Sequence, residues 1–298
     1  MKRAALSLLA AATLAGCAAT SAPVAPAAPV APADNAAALA AERIKPFQYL
    51  YGSAEGAALS IQTYHAMAEF ARAAVASRPR DSVVLAADPG PGDARFVPCG
   101  DKPFAAVLDV DETALLNLGY EGIVAEGRDS RDVLRRWQSS GSGAVAPVPG
   151  ALYAVEALRA LGVKVIFNSN RDAETGASTM AQLAAAGFGP TARGDTLFLR
   201  GDADGQSGKD GRRAAIAEKY CVIAMAGDQL GDFADLFNAR DLAVPARRAL
   251  AGRGWATRLW GEGWFLLPNP VYGPAMRGGI DDVFPADKRW DDPDKETN

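Results

Sequence analysis

Histidine is almost missing from this chain: His65 is the only one among 298 residues. That scarcity excludes phosphohistidine chemistry, which needs a nucleophilic imidazole and usually a second one, and it excludes zinc sites built on paired histidines. His65 itself lies in a helical stretch and reads as a surface or packing residue. Cysteine is scarce as well. Only Cys17, Cys99 and Cys221 occur. None stands at metal-ligand spacing from another, and neither Cys99 nor Cys221 has the downstream arginine of a cysteine phosphatase loop. Excess positive charge is missing: 31 Lys and Arg face 35 Asp and Glu, for a net charge of −4. With no basic stripe, a nucleic acid polymer is not an expected partner. A glycine-rich phosphate loop is missing too. In "GDADGQSGKD", Ala203 occupies the place of the first glycine and Asp210 follows Lys209.

What is present begins with "MKRAALSLLAAATLAGC". Lys2 and Arg3 give a positive start, and the apolar run after them is too short for a permanent membrane helix, so the segment reads as an export signal. Leu14-Ala15-Gly16-Cys17 resembles the lipobox of bacterial lipoproteins, in which the cysteine becomes the lipidated first residue. The plainer alternative is a secretory signal with a cysteine nearby by chance. Under the first reading residues 1–16 are the signal peptide, and lipid chains on Cys17 anchor the protein without spanning the bilayer. Residues 17–42 repeat Pro, Ala and Val with almost no charge, the composition of an extended tether. Ala18 rather than an aspartate follows Cys17, so the outer membrane is the expected destination in a Gram-negative cell envelope. The folded domain is expected over residues 43–280, with 281–298 a charged, loosely held tail.

Within the domain, helical and apolar segments alternate. Ser53 can cap a helix in which Tyr64, Met67, Ala71 and Ala74 recur at helical spacing. Buried strands are expected at 104–109, 163–170, 196–200 and 221–228, with helices at 129–138, 147–162, 175–188 and 209–220, and a further helix starting near 230. This order argues for an α/β fold with a doubly wound, mostly parallel sheet, whose functional groups gather at the carboxyl ends of the strands.

"AVLDVDETALLN", residues 106–117, places three acids within four residues at the first strand's end: Asp109, Asp111 and Glu112. Two unit charges about 4 Å apart repel by roughly 4 kcal/mol at an effective dielectric near 20, so a partner of opposite charge is needed. Asp109 and Asp111 lie two apart and project to one side of a strand. Later strand ends supply Asn168, Ser169 and Asn170, then Lys209, then Asp228 and Asp232. Carboxylates in this number suit a hard cation of the Mg²⁺ type, and the lysine and serine suit a phosphoryl group beside it.

The motifs "DVDET", "SNR", "KDGRR" and "GDQLGDF", in this order and spacing, resemble those of the haloacid-dehalogenase-like superfamily, and most nearly its class C acid phosphatases, bacterial lipoproteins that use four aspartates. "SAEGAAL", "VPGALYAVEAL" and "LLPNPVYG" extend the resemblance over about residues 48–275. The resemblance implies a Rossmann-like core with a small helical cap, formed from about 43–80 and 114–150, and an Mg²⁺-dependent phosphomonoesterase. It further implies Asp109 as nucleophile and Asp111 as general acid and base, with Ser169 and Lys209 on the phosphate. Asp109, Asp228, the carbonyl of Asp111, and Asp232 directly or through water would hold the metal. On this reading the metal and Lys209 keep Asp109 ionised, while the carboxyl of Asp111 stays free to hold a proton, giving a mildly acidic rate optimum. Gly231 and Gly56 depart from the family pattern, in which a further acid and an aromatic are common.

The family's substrates imply nucleoside 5′-monophosphates, including nicotinamide mononucleotide, as the small-molecule partner. A broad small-ester phosphatase is the alternative, and a non-catalytic binding lipoprotein is the alternative of another class. Tyr272 and then Tyr120 are the expected ring-stacking residues, with Trp137 and Trp264 read equally well as packing. A homodimer is left open. The family's strand order sets Cys99 and Cys221 at the start of neighbouring strands. Cys99 lies ten residues before Asp109 but Cys221 only seven before Asp228, and this mismatch leaves a disulfide and two free thiols both open.

Overall fold

The computed structural model describes residues 41–86, 94–140, 143–203, 205 and 207–291. The expected signal peptide, Cys17 and nearly all of the tether lie outside these residues, as does the tail from 292 onward.

Among the described residues nine strands form, in chain order: β1 (Asp81–Leu85), β2 (Phe96–Pro98), β3 (Phe104–Leu108), β4 (Leu115–Leu116), β5 (Ala146–Pro147), β6 (Lys164–Asp172), β7 (Leu197–Arg200), β8 (Cys221–Gly227) and β9 (Trp264–Leu266). Five make a sheet in the order β7-β6-β3-β8-β9, parallel at every pairing. The central strand, "FAAVL", is apolar throughout because both of its faces are covered. Ala106 and Leu108 enter one core layer, whereas Ala105 and Val107 enter the other.

The first layer is built by the helices Ala54–Ser77, Ala151–Ala160 and Gly176–Ala185, which bury Tyr64, Met67, Val155, Leu158 and Leu183 against the sheet. The long helix starts where expected, with the Ser53 hydroxyl accepting the Gly56 N–H at 2.9 Å. A side chain at Gly56 would meet the Tyr49 carbonyl at 2.3 Å, so the aromatic common in relatives has no room on this backbone. The second layer holds the helix Asp210–Lys219 and an aromatic group centred on Trp264, whose ring lies 5.3 Å from both Phe233 and Trp260.

Four differences from the sequence reading stand out. The helix Ala54–Ser77 is a core layer on the sheet rather than part of a cap, because its apolar face is continuous with the sheet's. The residues ahead of it, Ile44, Phe47, Gln48 and Tyr51 among them, face the helix Leu118–Ala125 across a shared cavity. After β8 the chain forms two short 3₁₀ turns, Leu230–Asp232 and Asp235–Asn238, instead of starting a helix. Asp232 caps the first of these turns, and Asp235 is drawn off to the neighbouring helix start. Asp232 takes the Gln229 N–H at 2.9 Å, and Asp235 takes the N–H groups of Lys209 and Asp210, both at 2.9 Å. Strand β9, only three residues long, and the β1–β2 hairpin were not anticipated.

Finally, Cys99 and Cys221 form a disulfide with their Cα atoms 4.6 Å apart. A turn resolves the spacing mismatch. The Lys102 N–H donates to the Cys99 carbonyl at 3.2 Å, with Gly100 at φ +53°, and this reversal absorbs the extra residues before β3.

Candidate active site

Every expected acid stands at the carboxyl ends of the central strands. The backbone of Asp109 continues the sheet beyond β3, its N–H donating to the Ala226 carbonyl at 2.9 Å, so that Asp109 lies beside the end of β8 and Asp228. Carboxylate oxygens of Asp109, Asp228 and Asp232 lie within 4.8 Å of one another, and all three residues are buried. Lys209, at the start of the helix Asp210–Lys219, donates to Asp109 and to Asp232, the latter at 2.7 Å. Burial would strip the proton from this ammonium, but the two carboxylates outweigh burial and hold its pKa above the ordinary lysine value.

Three carboxylates against one ammonium leave two negative charges unbalanced. Burial raises the Asp109 carboxyl first of all; Lys209 opposes this, and Asp232 and Asp228 add to it, so the net direction is upward. Asp228 is pushed up to about 7 by burial and by Asp232, against hydrogen bonds from Asn269 at 2.8 Å and Gln229 at 3.1 Å. The donor set is all oxygen and carries the charge deficit that a divalent cation removes, so these residues fit one.

The close run of acids that began the sequence argument is relieved by separate partners. Asp109 has Lys209. Asp111 is gripped by Arg171, whose Nη2 donates at 2.7 Å and Nε at 2.9 Å, while Asn117 adds a bond at 2.7 Å. Burial would raise Asp111, but Arg171 and Asn117 reverse that and hold its pKa below the ordinary carboxylate value. The expectation of a free carboxyl is therefore corrected. Glu112 has hydrogen-bond partners of its own. It accepts the Tyr51 hydroxyl and the Asn117 N–H, both at 3.0 Å, and the Tyr272 hydroxyl. Burial and Asp111 raise its pKa to about 8.

Ser169 lies under the same group, with its hydroxyl 3.4 Å from Asp111 and accepting the Arg171 N–H at 3.1 Å. Arg171 was missed as a site residue although "SNR" contains it. β6 ends two residues later than expected, and its period of two sends Arg171 to the side of Ser169. Two adjacent arginines of "KDGRR" were missed as well. Arg212 donates to the carbonyl of Ser169 and to the Asn170 side chain, bracing the end of β6. Arg213 donates to the carbonyls of Gly231 and Asp232, at 3.0 and 2.8 Å, bracing the loop after β8. A Cβ at Gly231 would lie 2.0 Å from the Asn238 amide nitrogen, so a side chain there would require that amide to move.

Two cavities meet at this point. One, of about 520 Å³, is lined by Asp109, Asp111, Lys209 and Asp232. The other, of about 410 Å³, is lined by Tyr120, Val124, Leu134 and Trp137. Asp111, Asn170, Arg200 and Tyr272 line both. Tyr120 and Tyr272, the expected stacking residues, thus face a common space, and Trp137 joins them. Trp264 does not: it is fully buried in the second core layer, its indole donating to the Val83 carbonyl at 2.8 Å.

A parallel sheet in the order seen here, with acids at the ends of adjacent strands and a lysine and a serine facing them, defines a hydrolase of the haloacid-dehalogenase-like fold. The family model described as HAD superfamily, subfamily IIIB (Acid phosphatase), matches residues 58–275, and the chain belongs to that family. It is an acid phosphatase-type hydrolase of phosphomonoesters. Two solved structures of the class C acid phosphatase from Bacillus anthracis are similar to it. One is 22% identical and covers 80% of this chain and 87% of its own, with a TM-score of 0.63. The other, with tungstate bound, is 20% identical and covers 82% and 94%, with a TM-score of 0.62. No curated protein sequence matches the chain. Among the described residues no helix is long and apolar enough to cross a membrane.

Proposed function

We propose that the protein is an Mg²⁺-dependent phosphomonoesterase that works through an aspartyl-phosphate and acts on nucleoside 5′-monophosphates, nicotinamide mononucleotide among them. The observation that carries the chemistry is the buried set Asp109, Asp228 and Asp232 facing Lys209, with Asp111 on the leaving-group side. Asp109, Asp228, Asp232 and the Asp111 carbonyl would hold Mg²⁺, which supplies positive charge against the transferring phosphoryl.

The rest is done by side chains. A carboxylate oxygen of Asp109 attacks phosphorus, and the bond from phosphorus to the ester oxygen breaks. Asp111 gives its proton to that oxygen. It then takes a proton from the water that attacks the aspartyl-phosphate, releasing phosphate and restoring Asp109. Lys209 and Ser169 hold the phosphoryl oxygens through this charge movement. Because Arg171 holds Asp111 low in pKa, the protonated acid is scarce at neutral pH and increases as pH falls, the sense of an acid phosphatase. The aromatic lining of the second cavity favours a ring-bearing leaving group over small esters such as glycerol phosphate.

Phosphate release from nicotinamide mononucleotide, AMP, glycerol phosphate and p-nitrophenyl phosphate, with Mg²⁺ and with chelator, tests this reading. Turnover should need the metal and vanish in Asp109→Asn. A folded, Mg²⁺-supplied protein that releases no phosphate from any of them overturns it. Lipid attachment at Cys17 and an outer-membrane location belong to the same proposal. They predict labelling by radioactive palmitate that Cys17→Ser abolishes.

A further inference from the structure

The third acid of "DVDET" has no place in the chemistry above, yet it is among the most buried charged groups in the protein, with 1% of its surface exposed. Glu112 also holds a backbone conformation that a side chain rarely adopts, with φ at +51°. Its carboxylate is held by side chains from near both ends of the domain. Tyr51, from the turn before the first long helix, donates to Oε1 at 3.0 Å, and Tyr272, from the loop after β9, donates to Oε2. Glu112 lines neither of the two cavities, whereas Tyr272 lines both.

Tyr272 is fixed at its other end as well. Its N–H donates to Asn269 Oδ1 at 3.3 Å and its carbonyl accepts from Gln229 Nε2 at 3.2 Å. Both Asn269 and Gln229 also donate to Asp228 Oδ2. The backbone of Tyr272 is therefore tied to the metal-ligand side, and its hydroxyl is tied to the loop that carries Asp109 and Asp111. No other acceptor for that hydroxyl occurs among the described residues.

From this geometry we infer that Glu112 is a positioning residue: it holds the Tyr272 ring as the wall shared by the phosphoryl and leaving-group cavities, and so sets selectivity for esters with an aromatic leaving group. The inference rests on the reading of Tyr272 as the wall against which that leaving group stacks. Freeing the hydroxyl lets the ring turn about its side-chain bonds. The cost then falls on substrates that use the ring and much less on those that have none.

Two variants test this. Tyr272→Phe keeps the ring and removes the hydroxyl, and Glu112→Gln keeps the volume and replaces one carboxyl oxygen by an amide group. Each should lower the ratio of kcat/KM for AMP over glycerol phosphate by about tenfold, mainly through KM for AMP, the size expected for loss of one buried hydrogen bond. The double variant should be no worse than either single one. A second readout needs no turnover: the Kd of adenosine, measured by calorimetry, should rise by a similar factor in each variant. Equal losses on both esters, or additive losses in the double variant, overturn the inference, as does a wild-type protein that does not bind adenosine. If the wild type hydrolyses neither ester, the phosphatase reading falls on its own account, and the adenosine constants still decide this one.

Discussion

The Cys99–Cys221 bridge joins residues 122 apart in sequence, and that span makes its contribution calculable. Closing a loop of that length removes chain entropy from the unfolded state worth about 5 kcal/mol at 25 °C. For a domain of this size each kcal/mol moves Tm by roughly 2–4 °C, so loss of the bridge should lower Tm by about 10–20 °C. In urea the midpoint should fall by about 2 M if m is near 2.5 kcal/mol/M. The clean comparison is wild type with the bridge intact against wild type unfolded, reduced and refolded in reductant. The side chains are then identical and no cavity term enters. Thiol titration must show two free sulfhydryls in the reduced sample. The bridge closes the amino ends of β3 and β8, whereas Asp109 and Asp228 stand at their carboxyl ends, so kcat/KM on p-nitrophenyl phosphate at 25 °C should stay within about twofold. A fully reduced protein whose stability falls by less than about 1 kcal/mol would refute the loop-closure reasoning.

Arg171→Met should move the alkaline limb of the pH–rate profile to higher pH. Arg171 holds the acid's pKa down, and removing it lets Asp111 keep its proton further up the scale; an unmoved limb on p-nitrophenyl phosphate would take Asp111 out of the role of acid. Mg²⁺ affinity should weaken as pH falls below about 7, where burial and Asp232 load a proton onto Asp228. One competing proton gives about a tenfold weaker Kd per pH unit, and calorimetry that finds the same Kd at pH 8 and pH 5.5 contradicts it. Lys209→Met should cost about 10²–10³ in kcat. It should also lower stability by about 3–5 kcal/mol, because Asp109 and Asp232 lose their shared counter-charge. Added Mg²⁺ should restore part of that stability in thermal melts.

The acids of the candidate site were legible because they directly follow apolar runs. "AAVL" and "VIAMAG" announce strands, and what stands immediately after them stands at the site. The partners were harder to see because they arrive through space. Glu112 finds Tyr51 61 residues upstream and Tyr272 160 residues downstream. Neither distance leaves a periodic signal. Asn117, Gln229 and Asn269 sit in loops, where an amide is as ordinary at the surface as at a metal site. Strand β9 escaped notice because the four apolar residues between Gly263 and Pro268 are too short a run for a strand to be told from a buried loop. The disulfide turned on Gly100, a single reversal that residue counting along the chain does not register.

Arg212 and Arg213 carry a consequence for how this sequence can change. Successive residues on a helix point about 100° apart, so two neighbours can brace loops on either side while Lys209, at the helix start, reaches the acids. The helix thus works as a ruler between the strand ends. Inserting or deleting one residue between 209 and 212 would turn both guanidinium groups to the wrong loops while leaving the lysine in place. Length variation in this crossover has to fall before Gly208 or beyond Arg213, whatever freedom the surface of the helix otherwise has.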